Sequence, residues 1–181
     1  MELHTERLVL REYVLEDFGA VHSFASDPRI ARFVDWGPNT EDDTRAYLEG
    51  CIAAQEASPR TVFALAIALP GGRPVGSVGL TLDEQQRGHL GYVVGVDHWG
   101  RGYATEAATC LLAHAHNTLE LDLIEATCRP ANMASARVLE KIGMTFTGVR
   151  PRDRFVGGQW SDSLVFAAGS SSSEPPSVDL F

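Results

Sequence analysis

The residues best suited to chemistry lie in one run, Trp99-Gly-Arg-Gly-Tyr-Ala-Thr-Glu106, between a strand pattern and a long helical one. A helix start leaves N–H groups without partners and carries a partial positive charge, so it is a ready anion site. Gly100 and Gly102 lack a Cβ and let backbone approach a phosphate, Arg101 adds a pairing charge, and Thr105 offers a hydroxyl in the first turn. The run is not a Walker loop, because no Gly-Lys-Ser/Thr follows, and it is not the dinucleotide fingerprint. Taken alone, it reads equally as a phosphate cradle or as a glycine turn that only caps a helix. Other candidates are weaker. His114 and His116 stand two apart on a helix and point in different directions, so they read as helix surface, and no metal site is expected. Cys51, Cys110 and Cys128 are odd in number and widely spaced, with no CxxC pair, and read as reduced core thiols.

The elements that must position this run follow from periodicity. Residues 7–11 alternate as a first strand, and 16–26 put Phe18, Val21, Phe24 and Ala25 on one helical face. After a short segment at 29–36 and a Gly-Pro-Asn break, Thr40 caps a helix whose first turn is acidic and whose stripe is Tyr47, Leu48, Cys51 and Ile52. Residues 62–69, 75–82 and 89–96 read as an antiparallel meander with turns at 70–74 and 83–88. A helix over 104–120 turns Ala104, Ala107, Ala108, Leu111, Leu112 and Ala115 inward. A strand at 123–128 follows, then a helix at 132–142 capped by Asn132 and ended by Gly143, then strands at 146–150 and 160–167. This order predicts a mixed α/β layer fold around one sheet, in a single domain over 1–168, with a flexible Ser/Pro-rich tail at 169–181.

Composition narrows the class. The 181 residues, 44% hydrophobic and 22% charged, suit one globular domain with a core. A net charge of −9 argues against a nucleic-acid binder, which needs a basic face, and reads first as a solubility feature. No apolar run is long enough to span a membrane, and the start carries no secretory pattern, so a cytoplasmic home is expected.

Two longer stretches give the run its context. Gly91-Tyr-Val-Val-Gly-Val-Asp-His-Trp-Gly-Arg-Gly-Tyr-Ala-Thr-Glu-Ala107 precedes Arg129-Pro-Ala-Asn-Met-Ala-Ser-Ala-Arg-Val-Leu-Glu-Lys-Ile-Gly143 by one helix and one strand. Together they closely resemble the GNAT acetyltransferases, and within them the ribosomal-protein N-terminal acetyltransferases of the RimJ/RimL type. The opening Thr5-Glu-Arg-Leu-Val-Leu-Arg11 and the closing Gly157-Gly-Gln-Trp-Ser-Asp162 resemble the same branch, so the resemblance covers about residues 3–167.

The resemblance implies a GNAT fold, a single mixed and mostly antiparallel sheet with splayed central strands flanked by helices, and acetyl-CoA as cofactor. It maps the pyrophosphate cradle to Arg101, Gly102, Tyr103, Ala104 and Thr105; Trp99 departs from the usual polar first position. It implies that the strand through Val94 and Val96 lends unpaired backbone groups to the pantetheine, and that an N–H near Val94 polarises the acetyl carbonyl. Both valines also read as core. It gives Asn132 a pantetheine contact besides its cap. Many relatives place an acid Tyr where this chain has Leu139, which leaves Ser135 as the candidate acid, a capping-turn role being equally open. For the base, relatives carry Glu at His89, and Asp153, in the loop after the penultimate strand, is near a carboxylate that some relatives use. Glu106 reads as a helix-dipole or capping residue. Arg32, Asp35 and Trp36 fall in the segment that lines the acceptor cleft in this branch.

The implied reaction is attack of a neutral amine on the thioester in a ternary complex. An α-amino group with a pKa of about 7.7–8 needs little help to lose its proton, whereas a lysine amine at about 10.4 needs a base or a desolvating cleft. The acceptor is a protein N-terminus or a small amine, and a homodimer is the commonest assembly to expect. Two other classes stand beside this one: a non-catalytic acyl-CoA-binding module, and a nucleotide-binding α/β protein whose motifs the chain lacks.

Overall fold

The computed structural model describes residues 1–156 and 159–170. Gly157 and Gly158 of the closing motif, and residues 171–181 of the expected tail, lie outside the described residues. Eight strands form one sheet: β1 Glu2–His4, β2 Val9–Glu12, β3 Val62–Ala68, β4 Pro74–Leu82, β5 Gly88–Val94, β6 Leu123–Cys128, β7 Thr145–Val156 and β8 Gln159–Gly169. Their order is β1-β2-β3-β4-β5-β6-β8-β7, antiparallel throughout except at β5–β6. The helices are α1 Phe18–Ala25, α2 Pro28–Ala31, α3 Glu41–Gln55, α4 Tyr103–Asn117 and α5 Met133–Lys141.

The sheet is covered on both faces, which explains why β3 is an unbroken apolar run. Phe63, Leu65 and Ile67 face a core shared with Ala107, Leu111 and Ala115 of α4, while Ala66 faces Val21, Phe24, Leu48 and Cys51 of α1 and α3. Small residues on α4 let that helix settle close to the sheet. Each fully buried Leu or Ile contributes about 1.5–3 kcal/mol relative to exposure. Helix ends match their residues: Thr40 and Asp43 close a reciprocal capping box on α3, and Gly143 stands at φ +89° just past α5.

Several boundaries differ from the periodicity reading, each for a side-chain reason. Thr5 closes a turn before the expected first strand, its hydroxyl accepting from the Leu8 N–H at 2.9 Å, so a short β1 precedes β2. Asp17 is held by Arg11 at 2.7 and 2.8 Å and by the Val14 N–H at 3.1 Å; a single 3-10 turn therefore precedes α1. β5 ends at Val94, and Val96 lies in a 3-10 turn over Val96–His98. The last two strands are longer than the apolar patches predict, because pairing continues through an irregularity between Arg150 and Arg154, with Arg152 at φ +48°. Asp153 consequently lies inside β7 and not in a loop after it. β8 reaches Gly169, the first residue assigned to the tail.

Candidate active site

β5 and β6 are paired only at Gly88↔Ile124 and His89↔Glu125, whereas β4–β5 pairing continues to Gly76↔Val94. Past His89 the two parallel strands part. The Gly95 N–H donates to the Val75 carbonyl at 2.8 Å, which fixes the phase of the antiparallel ladder. In that phase Gly95, Val93 and Gly91 exchange bonds with β4, so the backbone groups of Leu90, Tyr92 and Val94 point into the gap. The Val94 carbonyl is taken by the Trp99 indole N–H at 2.7 Å. Trp99 thus ties the glycine run to the end of β5 while the Val94 N–H stays aimed at the opening. A cleft of about 1170 Å³ fills the gap, edged by Leu90 to Val93 on one side and by Ala126, Cys128, Asn132 and Ser135 on the other.

The glycine run leads into α4. Gly100 and Gly102 have φ of +74° and +81°, values that an L side chain adopts only with strain, and Gly102 is the N-cap. The first intrahelical bond is Glu106 N–H to the Gly102 carbonyl at 3.0 Å, so the N–H groups of Tyr103, Ala104 and Thr105 have no acceptor within the helix. Arg101 is exposed beside them. A clamp that the sequence reading missed holds this loop. Glu106 accepts from the Thr5 hydroxyl at 2.6 Å, the Arg7 N–H at 2.8 Å and Arg7 Nε at 2.7 Å. Arg7 also donates to the Arg101 carbonyl at 3.0 Å and lies 5.2 Å over the Tyr103 ring. Burial alone would raise the Glu106 carboxyl, but the bonds from Thr5 and Arg7 outweigh it and hold its pKa below the ordinary value. The sequence signal was the pairing of the opening Thr-Glu-Arg with an acidic residue in the first turn of α4.

Asn132 caps α5, its Oδ1 accepting from the Ser135 N–H at 3.2 Å. Ser135 has a partner that sequence reasoning did not single out. The Tyr92 hydroxyl, on β5, lies 2.9 Å from Ser135 Oγ and 3.0 Å from the Ser135 carbonyl, spanning the gap between the parted strands. Burial pushes the Tyr92 hydroxyl up, so it stays protonated at neutral pH. Leu139 is 1% exposed and has no proton to donate. Burial also raises the Cys128 thiol, with the Ser135 hydrogen bond and the Arg129 charge pulling the other way.

The other candidates distribute unevenly. His89 lines the cleft on the opposite face of β5 from Tyr92; its Nε2 is 3.2 Å from Asp83, whose pKa is lowered to about 2 chiefly by the Arg87 backbone N–H and further by His89 and Arg87 side chains. Asp35 and Trp36 line the cleft, whereas Arg32 is exposed and stacks 4.4 Å over Phe33. Asp35 meets Arg154 of β7 at 3.2 Å, across the cleft. Asp153 is not part of the lining; its Oδ2 accepts from buried Ser163 at 2.7 Å, and Ser163 in turn accepts from Arg129 at 2.9 Å. Val96 packs against the α1–α3 core and does not line this cleft. His116 Nδ1 donates to the Leu121 carbonyl at 2.7 Å, a local helix-end contact. Among the described residues no helix is long and apolar enough to cross a membrane.

These features fit a coenzyme A thioester: free N–H groups and a nearby Arg for its diphosphate, a strand edge with outward backbone groups for its amides, and a hydroxyl pair at the gap. Residues 7–145 match the acetyltransferase (GNAT) domain family. An uncharacterized N-acetyltransferase, YnaD, from Bacillus subtilis is 28% identical over 167 residues, 92% of this chain and 96% of that protein. The crystal structure of a GNAT-family acetyltransferase from Bacillus anthracis superposes with a TM-score of 0.82 at 29% identity, covering 93% of this chain and 98% of that one. The ribosomal L7/L12 alpha-N-protein acetyltransferase RimL, in complex with coenzyme A, shares the fold at a TM-score of 0.83 and 16% identity, covering 96% of this chain and 100% of that one. With the parted strands, the glycine-capped helix and this match over most of its length, the chain belongs to the GNAT acetyltransferase family and is an N-acetyltransferase that uses acetyl-CoA.

Proposed function

We propose that the enzyme acetylates a primary amine, a protein N-terminus or a small-molecule amine, by direct attack in a ternary complex. Acetyl-CoA supplies the thioester: the amine nitrogen bonds to its carbonyl carbon, the C–S bond breaks, and the thiolate takes a proton. One observation carries the reading. The Tyr92–Ser135 hydroxyl pair spans the gap that opens where β5 and β6 part, the same gap toward which the β4–β5 ladder turns the Val94 N–H.

Each residue then has a task. The N–H groups of Tyr103, Ala104 and Thr105, with Arg101 and the left-handed Gly102, bind the diphosphate. Asn132 fixes the first turn of α5 and hence Ser135. Ser135 carries the proton for the leaving sulfur, and Tyr92 holds its hydroxyl in place. The Val94 N–H stabilises charge on the carbonyl oxygen. His89, whose Nε2 is 3.2 Å from Asp83, takes the amine proton, imidazole being a side chain suited to that exchange. Asp153 organises Arg129 through Ser163 on the acceptor side, where Asp35 and Trp36 form one wall and Arg32 stands outside it. Most of the rate then comes from positioning and carbonyl polarisation, since a thiolate leaves readily.

The test is thiol release from acetyl-CoA with a panel of amines. The wild type should release coenzyme A only with a suitable amine. Gly102→Glu, which sets a carboxylate where the diphosphate belongs, should abolish coenzyme A binding while leaving the fold intact by circular dichroism. Unchanged coenzyme A affinity in a folded Gly102→Glu variant would remove the proposed cradle.

A further inference from the structure

The arginine–carboxylate pairs of this protein fall into two groups. Away from the cleft, Arg7–Glu106, Arg11–Asp17, Arg29–Asp27, Arg60–Glu12 and Arg87–Asp83 close to between 2.6 and 2.8 Å, the spacing of well-formed charge-assisted bonds. On the cleft wall, among the described residues, none does. Arg150 stands 3.4 Å from Glu125 and 3.9 Å from Asp153, and Arg154 stands 3.2 Å from Asp35 and 3.6 Å from Asp153. Arg129 donates to Ser163 at 2.9 Å, and its Nε is buried with no hydrogen-bond partner. Asp153 lies beside Arg150 and Arg154, yet its Oδ2 is engaged at 2.7 Å by Ser163, the same hydroxyl that accepts from Arg129. Three guanidiniums with unsaturated donors therefore line one cleft in a chain of net charge −9.

Their position relative to the chemistry is fixed by the sheet. Arg150 reaches Glu125, and Glu125 is the register partner of His89 at the last paired step before β5 and β6 part. His89 and Glu125 sit side by side on one face, about 5 Å apart between strands. Arg150 is thus one side chain away from the place where an amine meets the gap, and Arg154 and Arg129 line the same cleft beside it. Arg154–Asp35 bridges the two walls of the cleft, but both side chains are exposed, at 51% and 40%, so the contact is weak and replaceable. The diphosphate donors at the start of α4 are not part of this wall, so these arginines are not needed to hold the cofactor's phosphates.

We infer that the acceptor carries a carboxylate besides its amine, and that Arg129, Arg150 and Arg154 hold that carboxylate while the amine faces His89 and the parted strands. The inference rests on the acetyl-transfer reading and names its substrate class. A planar guanidinium pair suits a carboxylate through bidentate bonds. Either a free amino-acid-like molecule or a peptide with an acidic residue close to its N-terminus presents this chemistry.

The experiment compares acceptors that differ only in charge, with thiol release as readout. L-amino acids are set against their carboxamides, and short peptides with Asp or Glu at the second or third place against the Asn or Gln versions. The acidic member of the effective series should show a kcat/KM roughly tenfold to a hundredfold higher, the effect of one or two charged hydrogen bonds. Whether the free amino acids or the peptides respond identifies the source. The Arg150→Gln/Arg154→Gln double variant should lose the preference, and Arg150→Lys/Arg154→Lys should restore part of it. Calorimetric coenzyme A binding by each variant reports that it is folded. Equal rates for acids and amides in the wild type, or a preference surviving in the Gln double variant, would overturn the inference while leaving acetyl transfer standing. Absence of thiol release with every amine, despite coenzyme A binding, would overturn both.

Discussion

The clamp between Arg7 and Glu106 offers the sharpest prediction, because it lies outside the cleft and acts only on the cofactor loop. In Arg7→Ala, Glu106 keeps its bonds from Thr5 and from the backbone N–H of residue 7. It loses the guanidinium at 2.6 and 2.7 Å, and the loop loses the bond into the Arg101 carbonyl and the stack on Tyr103. Arg7 is 47% exposed, so solvent screening limits the ion pair to about 0.5–1 kcal/mol. The bond to the Arg101 carbonyl adds about 1 kcal/mol and the stack about 0.5 kcal/mol. Roughly 2 kcal/mol of loop ordering is removed, which corresponds to an upper limit of about thirtyfold in affinity. Calorimetric titration with coenzyme A should therefore give a Kd raised about tenfold to thirtyfold, with KM for acetyl-CoA rising in parallel. Because Tyr92, Ser135 and Val94 stand on other elements, kcat at saturation should stay within about twofold. Arg7→Lys keeps the charge without the fork of donors and should fall between the two. A Kd that does not move, or a kcat that falls while the Kd holds, would refute the claim that the clamp works by ordering the loop.

Other outcomes follow from the same geometry. Tyr92→Phe should lower kcat about tenfold with little change in KM for acetyl-CoA, whereas Ser135→Ala should lower it further; equal wild-type kcat in both variants would remove the hydroxyl pair from the mechanism. At Gly76, a Cβ would stand 2.3 Å from the Val93 carbonyl oxygen and 3.0 Å from Val94 Cα. Gly76→Ala should thus push β4 from β5 beside Val94 and cost about 1–3 kcal/mol in urea unfolding, with an unchanged midpoint counting against it. The Glu106 carboxyl is depressed in the folded protein, so its contribution is complete above its ordinary value of 4.5 and is lost as pH falls through the lower folded value. The stability difference between wild type and Glu106→Gln should accordingly be constant near neutrality and shrink below about pH 4; a difference that grows on acidification would contradict the assignment.

The sequence by itself determined what local physics encodes. Gly143 announced a left-handed helix end and adopts it, and the glycine run announced a helix start, where the structure sets Gly100 and Gly102 at positive φ. Thr40 and Asn132 announced helix starts, and each accepts a backbone N–H there. The change of apolar period gave the meander and a layered α/β fold around one sheet, and the two long motifs together gave the family. What only the tertiary structure decided are contacts between residues far apart in the chain. Arg7 meets Glu106 across 99 positions and Tyr92 meets Ser135 across 43, and neither pairing leaves a trace in periodicity. β7 concealed its length behind Pro-Arg-Asp, because a strand irregularity tolerates residues that a regular strand rejects, and this moved Asp153 out of a loop and onto Ser163. The looseness of the cleft arginines was likewise invisible. Charge can be counted along a chain, but whether a guanidinium is saturated depends on distances that only the packed sheet sets.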